Sequence, residues 1–279
     1  MRIAVLSGKG GTGKTFVAVN LASAAQNAAY IDCDVEEPNG RLFLKPENCA
    51  EREIFTRLPK FDAEKCDGCR KCVEFCEFNA LVFVKDKPMV FPEVCHACGG
   101  CALVCPQKAV TEKERPIGVV QTGHYGEIDV ITGILNPSEV STIPVINAAL
   151  KTGFAKGKTA VIDCPPGSGC SVMESVMASD VCILVAEPTS FGFHNFRMVH
   201  KLVTLLGKPC AVVINKEDTP YAPLEEFCAQ NKAPILLRIP YSPELARLGA
   251  EGKLAYTQDE QCAAHFDSLL KAIRQEVMA

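Results

Sequence analysis

An apolar run, Ile3-Ala4-Val5-Leu6, delivers the chain directly into Gly8-Lys9-Gly10-Gly11-Thr12-Gly13-Lys14-Thr15, and an apolar helical stretch begins at Phe16. This is G-x-x-x-x-G-K-[ST] in the context that gives it meaning, between a buried strand and a helix. Glycines let successive backbone amides close around phosphate oxygens, and the amino end of the helix adds positive potential. Lys14 is spaced to reach the outer phosphates and Thr15 to ligate magnesium. A glycine-rich turn with no ligand is the alternative, and the flanking strand and helix argue against it. Further apolar runs of strand length at residues 29–31, 159–162, 181–186 and 211–214 alternate with helix-like stretches. That alternation calls for an α/β fold, a parallel sheet with helices on both faces and ligands at the carboxyl ends of the strands.

The chain has 279 residues, 48% of them apolar, enough for a large core. A formal charge of −4 leaves no basic footprint for nucleic acid. No apolar run approaches membrane-spanning length and no leader precedes the phosphate loop, so a cytoplasmic protein is expected, with no membrane partner. Sixteen cysteines without a leader point to a reducing compartment and away from a disulfide scaffold.

Eight of those cysteines form two runs, Cys66-x2-Cys69-x2-Cys72-x3-Cys76 and Cys95-x2-Cys98-x2-Cys101-x3-Cys105-Pro106. The spacing resembles that of bacterial ferredoxins, in which tight turns aim successive thiolates at neighbouring irons and the fourth cysteine of each run serves the other cluster. The resemblance implies one [4Fe-4S] cluster on Cys66, Cys69, Cys72 and Cys105 and a second on Cys76, Cys95, Cys98 and Cys101. Paired CxxC units also bind zinc, but a structural zinc takes one set of four ligands, not two equal sets at this spacing. Glu77 stands where ferredoxins usually carry proline after the fourth cysteine, and His96 reads as a loop residue beside the ligands. Composition sets the expected domains at residues 1–61 and 116–279 for a phosphate-binding α/β domain, with a small ferredoxin-like α+β domain inserted at 62–115.

A second lysine early in the loop, Lys9, resembles the deviant Walker A signature of the MinD, Mrp and nitrogenase iron-protein superfamily, which has a branch with an inserted ferredoxin domain. The resemblance implies ATP and Mg2+ as ligands. It also implies a homodimer, or a heterodimer with a related ATPase, in which Lys9 reaches the partner's nucleotide. Asp32-Cys33-Asp34 looks like the family's first switch, where Asp34 would position the attacking water and Asp32 would support the magnesium shell. Asp163, just before Cys164-Pro165-Pro166-Gly167, matches the second switch and would hold magnesium through water. Asn215 matches an adenine-binding asparagine and Pro240 a loop beside the base. Asn215-Lys216-Glu217-Asp218 also reads as the guanine pattern N-x-x-D, which keeps GTP open. Cys170 lies at an offset similar to that of a cluster cysteine in the nitrogenase iron protein, and an interface or packed thiol is the simpler reading.

The expected function is a dimeric ATPase that couples ATP binding and hydrolysis to electron transfer through the two clusters toward a redox partner. The alternatives are a carrier that delivers clusters to an accepting protein and a nucleotide- and redox-dependent regulatory protein. Near the end of the chain, Phe266, Leu269, Leu270, Ile273 and Val277 form one apolar helix face. Its mixed charges favour docking on the core over a membrane surface.

Overall fold

The computed structural model describes residues 1–154 and 157–277. The strands are β1 (Arg2–Ser7), β2 (Ala28–Asp32), β3 (Glu47–Phe61), β4 (Leu81–Val84), β5 (Lys87–Val90), β6 (Val110–Tyr125), β7 (Ile128–Leu135), β8 (Thr159–Asp163), β9 (Val181–Ala186), β10 (Cys210–Glu217) and β11 (Ile235–Pro240). The helices are α1 (Lys14–Ala25), α2 (Gly40–Leu44), α3 (Lys71–Phe75), α4 (Gly100–Leu103), α5 (Ile143–Gly153), α6 (Cys170–Ala178), α7 (Ser190–Leu205), α8 (Ala222–Gln230), α9 (Pro243–Ala250), α10 (Ala255–Gln258) and α11 (Glu260–Ala272).

Among the described residues nine strands form one sheet in the order β11-β10-β9-β1-β8-β2-β7-β6-β3. Pairing is parallel from β11 through β7 and antiparallel at β7/β6 and β6/β3. Strands covered on both faces need apolar side chains at every position, which is why β1 and β9 read as unbroken apolar runs. On one face the core gathers Val145, Ile146, Val172, Val176, Phe196 and Val199 from α5, α6 and α7. On the other, Val17 and Leu21 of α1 meet Phe266, Leu269 and Leu270 of α11. The last helix therefore docks on the core through four of its five expected apolar positions, Ile273 included. The side chain of Val277, and Met278 altogether, lie outside the described residues. Among the described residues no helix is long and apolar enough to cross a membrane.

The departure from a plain α/β sheet is the pair β3/β6. Strand β6 pairs with β7 only from Gly118 to Tyr125. Its first half, Val110 to Pro116, pairs with β3 alone and leaves the sheet as a two-stranded ribbon. At the exit the register jumps from Ile54↔Gly118 to Phe55↔Pro116, so Ile117 has no partner on β3. Such a bulge bends a strand and strengthens its twist. Asp62 N–H donates to Ala109 O at 2.8 Å and closes the tip. Beyond it lie the short helices α3 and α4 and the hairpin β4/β5. The segment 62–115 thus includes the beginning of β6. Residues 47–61 give no strand signal, because most of β3 is exposed and its buried positions, Ile54, Leu58 and Pro59, do not alternate.

Candidate functional site

Two aspartates end adjacent strands of the sheet: Asp32 of β2 is opposite Asp163 of β8, and both are fully buried. Tyr30, two residues before Asp32, shares its sheet face. Its hydroxyl donates to Asp163 Oδ2 at 2.9 Å and lies 3.4 Å from Asp32 Oδ2. Asp32 in turn accepts from Asp34 N at 3.1 Å and from Gly40 N at 3.0 Å, so it pins both ends of the loop that carries Asp34.

Lys14 opens α1, and its ammonium sits 2.6 Å from Asp163 Oδ1 and 3.4 Å from Asp34 Oδ2. Burial works against this charge, but Asp163, Asp34 and Asp32 outweigh it and raise the Lys14 pKa above its ordinary value. Burial, reinforced by Asp163, pushes Asp32 well above the usual carboxylate range. Asp34 is also raised, by burial first, with Lys14 pulling the other way. A buried cation thus faces more carboxylates than it can neutralise.

Lys9, Gly10, Gly11, Gly13, Lys14 and Thr15 line a cleft of about 1080 Å3 together with Asp34. Gly13 has φ 92°, and a Cβ there would meet Asn215 Nδ2 at 2.0 Å, so only glycine fits. Cβ atoms on Gly10 or Gly11 would meet nothing within 4 Å; the loop presents bare backbone to open space. Gly8 instead packs on Asn195 of α7, and Thr12 is buried with its hydroxyl donating to Lys9 O at 3.1 Å. These features fit a nucleotide's phosphates: unfilled space, a backbone wall and a cation at its base. Magnesium takes one or two protein oxygens plus phosphate and water. Thr15 lines the cleft and Asp163 meets Lys14 at its base, which fits that requirement, whereas both oxygens of Asp32 are engaged by Tyr30 and the loop amides of Asp34 and Gly40.

An adjoining, mostly apolar pocket of about 180 Å3 holds Asn215 and Pro240 together with Phe16, Phe43 and Tyr241. Asn215 Nδ2 donates to Thr12 O at 2.8 Å and ties β10 to the phosphate loop. Lys216 Nζ donates to Gly11 O at 2.6 Å and pairs with Glu187 at 3.2 Å. Lys9 pairs with the same Glu187 at 2.5 Å. Glu187 is partly buried, yet the two lysines hold its carboxyl below the usual range. Asp218 is exposed and is not among the residues lining the pocket, so the N-x-x-D pattern does not converge there.

At the ribbon tip the eight cysteines separate into two groups. Cys66, Cys69, Cys72 and Cys105 line one cavity, nearly closed at about 10 Å3, with Phe61 and Phe83. Cys76, Cys95, Cys98 and Cys101 line a second of about 230 Å3, with Phe75 and Phe78. Two apolar-walled sets of four thiols are the donor set a [4Fe-4S] cube requires; the second has room for it, and the first would have to spread. Ala109 N–H donates to Cys105 Sγ at 3.3 Å, the kind of contact that tunes a cluster sulfur. Burial raises the Cys72 thiol and pushes Cys101 up to about 11. It raises Cys95 too, against the Ala97 amide and the Arg115 guanidinium. His96 stacks on Phe78 at 3.8 Å. Among the described residues no three His, Cys, Asp or Glu side chains converge on the scale of a single ion. Outside these runs, Cys33, Cys164 and Cys182 are buried, whereas Cys170 is exposed at the start of α6.

Two participants escaped sequence reasoning. Tyr30 carries a signal in retrospect, since position i−2 in a strand shares the face of Asp32. Phe43 carries none, because it enters through a contact distant in sequence. Lys216 stands in the sequence only as the second member of the N-x-x-D run, and its tie to Gly11 O and Glu187 comes from the fold.

A model of the CobQ/CobB/MinD/ParA nucleotide binding domain family matches residues 3–255. An uncharacterized protein of Methanocaldococcus jannaschii is 29% identical over 221 residues, 77% of this chain and 80% of the relative. An uncharacterized ferredoxin of the same organism is 38% identical over 56 residues, 19% of this chain and 73% of the ferredoxin. The solved structure of the septum site-determining protein MinD of Pyrococcus horikoshii, complexed with Mg-ADP, aligns with 98% of this chain and 96% of its own. Its TM-score is 0.61 at 17% identity, a likeness of fold.

Proposed function

Because the chain belongs to the CobQ/CobB/MinD/ParA nucleotide-binding family, we propose that it is a dimeric ATPase in which ATP binding and hydrolysis are coupled to electron transfer through two [4Fe-4S] clusters. The observation that carries this reading is the sorting of the eight cysteines into two pockets, each with three members of one run and the last member of the other. That exchange of fourth ligands is the two-cluster ferredoxin pattern, and here it stands on a ribbon that grows from an ATPase sheet.

At the cleft, Lys14 would exchange its carboxylate partners for the β- and γ-phosphates, and the carboxylates it leaves would be compensated by the charge of Mg2+. Thr15 and Asp163 serve Mg2+, with Asp32 holding the surrounding loop. Asp34, freed from Lys14, orients the attacking water. The Lys9–Glu187 pair keeps Lys9 within its own subunit, and dimerisation trades that pair for the partner's nucleotide. Asn215 and Pro240 border the base pocket, which favours ATP because Asp218 does not face it. Bound clusters supply one-electron chemistry; the protein supplies thiolates, amide donors and an apolar wall.

Iron and sulfide analysis of anaerobically purified protein, with electron paramagnetic resonance (EPR) spectra before and after Mg-ATP, tests the proposal. About eight irons per chain and a nucleotide-dependent spectrum are expected from the two-cluster rule. Protein without iron, or spectra that superimpose, refutes it. Retention of iron through many turnovers separates electron transfer from delivery to an accepting protein.

A further inference from the structure

The ribbon holds the cysteines away from the phosphate cleft, yet a run of hydrogen bonds joins the two. Val35 follows Asp34, and its carbonyl accepts from Leu135 N at 2.9 Å. Val35 is buried, and it lies so close to β7 that a Cβ on Gly133 would sit 2.7 Å from Val35 Cγ1. The next residue, Asn136, donates from its backbone to Ile117 O at 2.8 Å and from its side chain to Pro116 O at 3.4 Å. Ile117 is the unpartnered residue of the bulge, so Asn136 grips the ribbon where it leaves the sheet. Glu139 N–H turns back onto Asn136 O at 3.2 Å, and the Glu139 carboxylate binds Arg115. Arg115 is the first ribbon residue beyond Pro116, and its Nη1 donates to Pro92 O at 3.1 Å, three residues ahead of Cys95.

We propose that the turn at residues 135–139 is a clamp that follows the Asp34 loop, and that Arg115, held by it, positions a positive charge at the Cys95 side of the second cluster site. The inference rests on the proposed function, because it assigns Arg115 a role toward a bound cluster. Three features carry it. The clamp starts one peptide from Asp34, it holds the bulge that serves as the ribbon's hinge, and it ends on a residue that spans the ATPase body and the cysteine module. The Glu139 side chain is only 8% exposed, so solvent does not wash out its hold on Arg115. A cluster gains a negative charge on reduction, and a nearby guanidinium stabilises the reduced form. Displacing it lowers the reduction potential. Nucleotide that moves Asp34 and Val35 acts on that charge only by favouring one clamp position over another.

The test is a potentiometric titration followed by EPR on the anaerobic holoprotein, with and without Mg2+ and a non-hydrolysable ATP analogue. Wild type is compared with Arg115→Gln and Glu139→Gln. In wild type the nucleotide shifts the midpoint of one cluster and leaves the other in place. Arg115→Gln lowers that same midpoint without nucleotide and abolishes the shift. Glu139→Gln keeps its full iron and loses the shift; should Arg115→Gln shed iron, this variant alone decides. Two intact clusters with an undiminished nucleotide shift in Glu139→Gln overturn the clamp and leave the proposed function standing. Protein that takes up no iron overturns both.

Discussion

Replacing Lys14 with methionine tests the electrostatic account of the phosphate cleft before any nucleotide is added. The ammonium lies 2.6 Å from Asp163 and 3.4 Å from Asp34. At an effective dielectric of about 20 these separations correspond to attractions of about 6 and about 5 kcal/mol. Desolvation of the buried charge offsets much of that, and deleting one partner of a buried pair leaves a net loss of about 3–5 kcal/mol. The loss depends on pH with a definite sign. Lys14 is raised above its ordinary 10.5, so its contribution is fully present below that value and disappears only at still higher pH. It adds no slope near neutrality. Asp32 and Asp34 are raised above their ordinary 3.8, so each costs stability as it ionises and the cost is relieved by acid. Without Lys14 both are raised further. Lys14→Met should therefore lose about 3–5 kcal/mol at pH 8 and recover toward pH 5.5. The recovery is about 1.4 kcal/mol for each pH unit over which one carboxylate stays protonated. Urea unfolding of nucleotide-free protein, followed by circular dichroism across that range, measures both quantities. A loss below about 1 kcal/mol, or one that acid does not reduce, refutes the reasoning.

Tyr30→Phe strands the buried Asp163 Oδ2 without its donor, and the same unfolding assay should show a cost of about 1–3 kcal/mol. Lys9→Ala should keep ATP binding in calorimetry but lose the rise of specific hydrolysis with protein concentration; an unchanged concentration dependence counts against a role in the partner's site. Cys66→Ser should remove about half of the bound iron, by the exchange of fourth ligands between runs. Loss of a quarter or none discredits the assignment of Cys66 to one complete cube.

The strands expected at residues 29–31, 159–162, 181–186 and 211–214 appear as β2, β8, β9 and β10 because interior parallel strands are apolar at every position. Where the resemblance leads to the expectation of a loop around Pro240 there is instead strand β11; its residues Leu237 to Pro240 alternate between buried and exposed and it forms the sheet edge. The ribbon goes unread for a related reason: Glu, Arg and Lys recur through residues 47–61 and 110–116, and pairing there is sustained by backbone hydrogen bonds across a large sequence separation. The resemblance leads to the expectation that Asn215 lies beside the base; its tie to Thr12 O spans 203 positions and no local pattern announces it.

What the chain carries in its sequence alone is the chemistry that depends on spacing: a glycine loop ending in Lys14-Thr15, and thiols at intervals that suit a cube. Such signals are local, because neighbouring residues present their groups to one ligand whatever the rest of the fold does. Tertiary structure decided the relations between distant segments, among them Tyr30 bridging two aspartates, Glu187 shared by Lys9 and Lys216, and Arg115 caught between Glu139 and Pro92. These depend on strand order and on a single bulge at Ile117, and both are set by the packing of the whole sheet.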